Sequence, residues 1–105
     1  MAETSLYFGQ SRPDGSMITE KEWNEFREKY IAKVFTEGST TLRATGAWLD
    51  PTTHELITEP TYVVTCYYKK STGVSQRIDS LRYWYKMQFN QQAVLRVDKK
   101  VKASF

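Results

Sequence analysis

Thr19-Glu20-Lys21-Glu22 is a capping box, and it fixes the start of a helix more sharply than any other signal in this chain. In that pattern the Thr hydroxyl accepts the backbone N–H of the third helical residue, and the Glu carboxylate accepts the Thr N–H. Ile18 and Trp23 stand at the two positions of a hydrophobic staple. Trp23, Phe26, Tyr30 and Val34 then recur at helical spacing, with Ile31 widening the stripe. Lys21–Glu25 and Glu25–Lys29 are spaced as ion pairs on the outer side, and Gly38 can close the element. The spacing predicts a helix over 19–36. A second stripe, Ile78, Leu81, Tyr85 and Phe89 with Trp84 alongside, follows Ser75, a possible cap, and runs to Asn90, suited to a left-handed terminator. Two amphipathic helices with broad apolar faces need an extended, strand-like neighbourhood to cover them.

The rest of the chain supplies it. Leu6–Gln10 reads as a first strand, stopped by Arg12-Pro13-Asp14-Gly15, in which Pro pre-sets the turn and Gly accepts a positive φ. Residues 40–49 alternate as a strand that can bend near Gly46, and Asp50-Pro51-Thr52-Thr53-His54 makes a turn. Residues 56–70 form the return strand, whose stretch Tyr62–Tyr68 is apolar on both sides, as in a central strand. Ala93–Val97 is the last strand, followed by Lys99, Lys100 and Lys102, which would blunt a sheet edge. The order is βαββαβ with no internal repeat. Right-handed crossovers then put both helices on one face of a four-stranded antiparallel sheet, an α+β, ferredoxin-like arrangement with the first and third strands central.

Length and composition agree with one domain over 1–105, with 1–4 a flexible N-terminus, 5–98 the folded core and 99–105 a basic C-terminal end. No apolar run reaches membrane-spanning length, so no membrane partner is expected. MAETSLYFG lacks the basic start and apolar stretch of a secretory leader, which makes the cytoplasm the expected compartment, or the periplasm if a leader has been removed. The single cysteine, Cys66, excludes an internal disulfide framework. Residues 1–68 hold ten acids and six bases, residues 69–105 two acids and nine bases. The last third is therefore +7 and the remainder −4, an asymmetry that suits an acidic or nucleic-acid partner or a plain solvated surface.

LYFGQSRPDG, EWNEF, TEGSTTLRATGAWLD and YKMQFNQQAVLRV, taken together and in this order, resemble the bacterial domain-of-unknown-function family 3574 (DUF3574) over roughly residues 6–98. The resemblance implies no known activity. Members of that family look exported or periplasmic, and this sequence has no leader to match.

Candidates for chemistry are few. His54, the only histidine, lies in a turn between carboxylates without ligand geometry, so no metal is expected. Cys66 reads as a small buried hydrophobe on an apolar strand side. No nucleophile elbow and no Gly-rich phosphate loop appear, so neither a catalytic residue nor a cofactor is expected. Glu59, opening a largely apolar strand, needs a donor, and Arg96 or Gln91 are its conceivable partners. Glu59, Gln91 and Arg96 thus form a candidate ligand pocket, as of a small enzyme or small-molecule binder.

If Leu6, Phe8, Leu42, Ala44, Val64, Cys66, Leu95 and Val97 face the helices, then Tyr7, Arg43, Thr45, Val63, Thr65, Tyr67, Val94 and Arg96 face outward. Tyr7, Arg43, Val63, Thr65, Tyr67 and Arg96 are accordingly the candidate partner-binding residues. Strand 61–68 lacks the basic-Gly-aromatic signature with which RNA-binding domains of this topology stack bases. A protein partner is therefore expected before nucleic acid, first of all a second copy of the chain in a homodimer. The leading expectation is a non-catalytic interaction module, for instance a small phage or mobile-element inhibitor of a host nucleic-acid enzyme.

Overall fold

The computed structural model describes residues 1–105. The elements are β1 (Ala2–Gly9), α1 (Glu20–Phe26), a π-helical turn (Arg27–Ile31), α2 (Ala32–Val34), β2 (Thr40–Leu49), β3 (Leu56–Tyr68), α3 (Thr72–Phe89) and β4 (Leu95–Lys100). The strands form one antiparallel sheet in the order β2-β3-β1-β4, so β1 and β3 are central and β4 is an edge. Both helical segments cover the same face. Leu6, Phe8, Val64 and Cys66 from the sheet share one buried cluster with Trp23, Phe26, Ile31, Phe35, Ile78, Leu81, Tyr85 and Phe89. No helix is long and apolar enough to cross a membrane.

The capping box forms as its residues require: Glu22 N–H donates to Thr19 Oγ1 at 3.1 Å, and Thr19 N–H donates to Glu22 Oε1 at 3.0 Å. What the stripe does not reveal is the π turn in the middle of that helix. The Ala32 N–H donates to Arg27 O, five residues back instead of four. One extra residue in the turn advances the inward face by one position. Ile31 and Phe35 are therefore buried, while Tyr30 and Val34, which regular spacing puts in the stripe, only pack against the rim of the core. The second helix begins earlier than expected, at Ser71 rather than Ser75, with Ser71 Oγ accepting Val74 N–H at 3.1 Å. Asn90 ends it at φ 52°, the left-handed cap its sequence suggests.

Three boundary and register expectations are corrected. β1 starts at Ala2, so most of the stretch 1–4 expected to be flexible is hydrogen-bonded between β3 and β4, with Thr4 fully buried. On β2, Thr41 pairs with Val64 and Leu42 with Val63. Partners across an antiparallel ladder share a face, so Arg43 and Thr45 lie on the helix side, while Leu42 and Ala44 lie on the open side. On β4, Leu6 pairs with Arg96 and Tyr7 with Leu95, so Arg96 is helix-facing and Leu95 and Val97 face outward; Val94, just before the strand, is buried. Both errors are slips of one residue, which exchange every side chain between faces. Neither edge strand carries a clean burial pattern: β2 is bare on both sides, and β4 turns a charged residue inward.

Candidate functional site

The helices cover only part of the sheet. β2 and the first half of β3 run past them as a hairpin, on which Leu42 is 61% exposed, Leu56 69% and Trp48 46%. Where this arm meets the end of β1 lies a recess of about 490 Å³ whose walls include Ser11, Arg12, Trp48, Ile57, Glu59 and Gln91.

Glu59 projects from β3 onto the open side and lies across β1 at Gly9, where a Cβ would come within 2.7 Å of Glu59 Oε1. Only glycine leaves room for the carboxylate there. Its single hydrogen bond comes from the Ser11 N–H, 3.1 Å from Oε2, and no cation lies within ion-pairing distance. Gln91 Nε2 donates to Ser11 O at 2.9 Å and to Phe89 O at 3.2 Å, which leaves Oε1 turned to no partner. Glu59 and Gln91 thus hold the two ends of the Ser11 residue between them. Arg12, the nearest guanidinium on that loop, is committed elsewhere: to Glu22, to Met17 O at 2.9 Å, and over the Phe89 ring at 5.8 Å. The recess therefore presents a half-buried carboxylate with no ion-pair partner, since Arg12, which also lines it, is paired with Glu22, and an exposed Trp48 ring on the same walls. An unpaired carboxylate and an aromatic face are the two features that attract a cation.

The candidate triad is split by this geometry. Glu59 and Gln91 come together; Arg96 does not join them. Arg96 is only 12% exposed and faces α3, donating to Asp79 Oδ1 at 2.9 Å, to Ser75 O at 3.1 Å, and to both oxygens of Asp98 at 3.0–3.1 Å. Burial works against the Arg96 charge, but the Asp79 and Asp98 carboxylates outweigh it and hold its pKa above the ordinary value. Thr4 Oγ1 donates to Asp98 at 2.6 Å and so receives the Tyr68 hydroxyl at 2.7 Å. This is a satisfied network that ties β1, β3, β4 and α3 together.

The other candidates sort plainly. His54, at φ 60°, is an exposed residue in a turn that Asp50 Oδ1 stabilises by accepting the N–H groups of Thr52 and Thr53. No three His, Cys, Asp or Glu side chains gather as a metal site. Cys66 is buried, and burial pushes its thiol up to about 12, the opposite of an activated nucleophile. Of the expected outward residues, Tyr7, Val63, Thr65 and Tyr67 do lie on the open face, whereas Arg43 stacks over the Tyr62 ring at 5.5 Å on the helix side. Leu42, Val63, Tyr7 and Leu95 instead form one apolar row across all four strands of that face. The neighbouring Glu3 carboxylate, by hydrogen bonding and by charge, raises the Tyr67 pKa.

Sequence reasoning missed Trp48, Ile57 and Ser11 as site residues. Trp48 and Leu49, adjacent on a strand and so on opposite faces, were the available signal that no helix covers the arm. Ser11 acts through its backbone, which leaves no trace in residue type.

The sequence profile described as "Protein of unknown function (DUF3574)" matches residues 3–105. The chain belongs to this family. No curated protein matches this DUF3574 member by sequence. Among solved structures it is similar to a phage SAM lyase in complex with S-methyl-5'-thioadenosine, with TM-score 0.71 at 12% identity over 94% of this chain and 80% of that one. The same phage enzyme in its apo state gives TM-score 0.68 at 12% identity, over 93% and 78%. At that identity the likeness concerns the fold. It nevertheless corrects the leading expectation from sequence: the similar phage protein is an enzyme, so this shape is no mark of a non-catalytic interaction module or inhibitor.

Proposed function

We propose that this DUF3574 protein binds a small cationic nucleoside of the adenosyl-sulfonium class at the Glu59 recess and cleaves it as a lyase. The observation that carries the reading is the half-buried Glu59 carboxylate, without a cationic partner, facing a recess walled by the exposed Trp48 ring. A sulfonium has no N–H to donate, so it is recognised by charge and by an aromatic face, and an adenine stacks on the same kind of surface. The name of the similar phage enzyme supports this substrate class. S-methyl-5'-thioadenosine is what leaves S-adenosylmethionine (SAM) when the bond from sulfur to the aminobutyrate carbon breaks, the sulfur keeping the bonding pair while the substrate's own carboxylate oxygen bonds to that carbon and closes a five-membered lactone. The positive charge vanishes in that step. A carboxylate beside the sulfonium therefore stabilises the bound substrate more than the transition state, and Glu59 has a binding role, with Gln91 Oε1 a free acceptor for the substrate's polar groups.

Calorimetry with SAM and S-methyl-5'-thioadenosine, with chromatography of the products, tests this. Wild type binds both and releases the thioether. Glu59→Gln weakens SAM about tenfold, close to 1.4 kcal/mol, and leaves the neutral thioether nearly unchanged. Failure of wild type to bind either compound rejects the reading, as does an equal loss of both in the variant.

Assembly is a second reading, favoured by the apolar row Leu42–Val63–Tyr7–Leu95. The row supports a homodimer that buries the open sheet face. Light scattering on wild type and Leu42→Lys checks it, and a monomeric wild type at high concentration sinks it.

A further inference from the structure

The charge asymmetry of the chain has no part in the Glu59 recess. Its counterpart lies at the other end of the central strands. There, a recess of about 540 Å³ is lined by Ala2, Tyr68, Lys70, Ser71, Ser75, Arg96, Asp98, Lys99 and Lys100, among others. Ala2 and Gly9 mark the two ends of β1, seven rises of ~3.3 Å apart, so the two recesses are separated by roughly 23 Å along the strand.

The charged groups of the floor are already paired. Its one carboxylate, Asp98, is taken up by Arg96 and Thr4, and the Arg96 guanidinium is spent on Asp79, Asp98 and Ser75. Lys99 turns to Glu3 on the open face, 3.8 Å away. Lys70 and Lys100 are left. Lys70 lies in the connection from β3 to α3 and Lys100 at the end of β4; both line the same recess and have no carboxylate within ion-pairing distance. Ser71 Oγ at the rim accepts Val74 N–H and keeps its own O–H to donate. The start of α3 adds backbone N–H groups without helical partners on the same side.

We infer that this recess binds the phosphoryl group of a small molecule between Lys70 and Lys100. A doubly charged group gains from two ammonium ions at once, and lysine engages phosphate as a point charge without the planar fork of arginine. The volume exceeds what a bare phosphate needs and falls in the range of small-ligand sites. The inference does not rest on the Glu59 reading.

The test is a backbone-amide NMR titration with inorganic phosphate and with pyrophosphate, at ionic strength held constant with chloride. Saturable shifts confined to 70–75 and 99–100 are expected. The double variant Lys70→Ala/Lys100→Ala should bind pyrophosphate about tenfold or more weakly. Lys29→Ala/Lys33→Ala, with the same net charge change on the other helix, should bind as wild type, and equal thermal midpoints show that both variants fold. Shifts that chloride alone reproduces, or an equal loss in both double variants, overturn the inference. Binding of a single-stranded oligonucleotide without binding of pyrophosphate overturns it too.

Discussion

β3 is one continuous strand with two different lives. From Tyr62 to Tyr68 it lies under the helices, and its inward side chains join an aromatic cluster. Trp23 stacks on Tyr62 at 4.5 Å with rings 3° from parallel, Phe8 meets Trp23 at 5.3 Å, and Tyr85 meets Phe8 edge-on at 4.7 Å. From Leu56 to Pro60 the same strand pairs with β2 as fully as before but has no core behind it. Ladder pairing with β2 holds that half with little apolar burial, and such a segment is the part of a protein that opens first. The difference shows that reach, and not strand propensity, decides burial here: the two helices are long enough for half a hairpin. The Glu59 recess sits where the covered half meets the bare one, with its carboxylate anchored over rigid β1 and its indole on the freer arm.

The sharpest way to break this comparison is to truncate one tryptophan in each region. Trp23→Ala removes the centre of the aromatic cluster and should cost about 3–5 kcal/mol in urea unfolding. Trp48→Ala should cost within about 0.5 kcal/mol, as for an exposed site, while still weakening SAM binding. Similar losses for the two would mean that the arm has a core of its own.

Next in size is the polar network at the covered end. Thr4→Val keeps the shape of the side chain and removes the hydroxyl shared by Tyr68 and Asp98, at an expected ~1 kcal/mol. Its pH signature has a definite sign. Burial alone would raise the Asp98 pKa, but the Thr4 hydrogen bond and Arg96 outweigh it; at Asp79, burial is likewise outweighed by Arg82 and Arg96, so both carboxyls titrate below their ordinary 3.8. Groups lowered on folding stabilise the protein fully above that ordinary value and cease to do so as the pH falls through the lowered one. Thermal midpoints should therefore fall on acidification below about pH 4, and Asp98→Asn should flatten that limb. An unchanged limb in Asp98→Asn would assign the acid sensitivity to other carboxylates.

Thr19→Ala removes half of the capping box and should cost about 1 kcal/mol or slightly less. The smallest effect expected is chemical: Cys66, buried and with its thiol pushed up to about 12, should resist alkylation at neutral pH until the protein unfolds. Prompt alkylation of the native protein would show that the covered half opens as readily as the arm.

Much of the fold was legible because its signals are local. The capping box, the Asn90 terminator, the doubly apolar Tyr62–Tyr68 stretch and the element order suffice for a ferredoxin-like sheet. The site was legible only in part. Glu59 stands out because a carboxylate in an apolar strand needs a donor, and Gln91 only as one conceivable donor for it; the two meet instead through the Ser11 backbone. Arg96 was wrongly grouped with them: its alternation with Leu95 and Val97 reads as outward, and only the salt links to Asp79 and Asp98 show why a charged side chain turns toward a helix.

By itself the sequence determined where the first helix starts and where the second one ends, how many strands there are, and that one sheet face must be covered, since these follow from capping chemistry and from hydrophobic period. Tertiary structure alone decided the register of the two edge strands, the π turn that brings Ile31 and Phe35 inward, and the meeting of Glu59, Ser11, Gln91 and Trp48 at one recess. Those outcomes depend on which surfaces lie opposite each other across the sheet, between groups as far apart in the chain as Ala2 and Lys100. A periodic pattern says that a face is apolar; what covers it, and how far the cover reaches, is settled only when the elements pack.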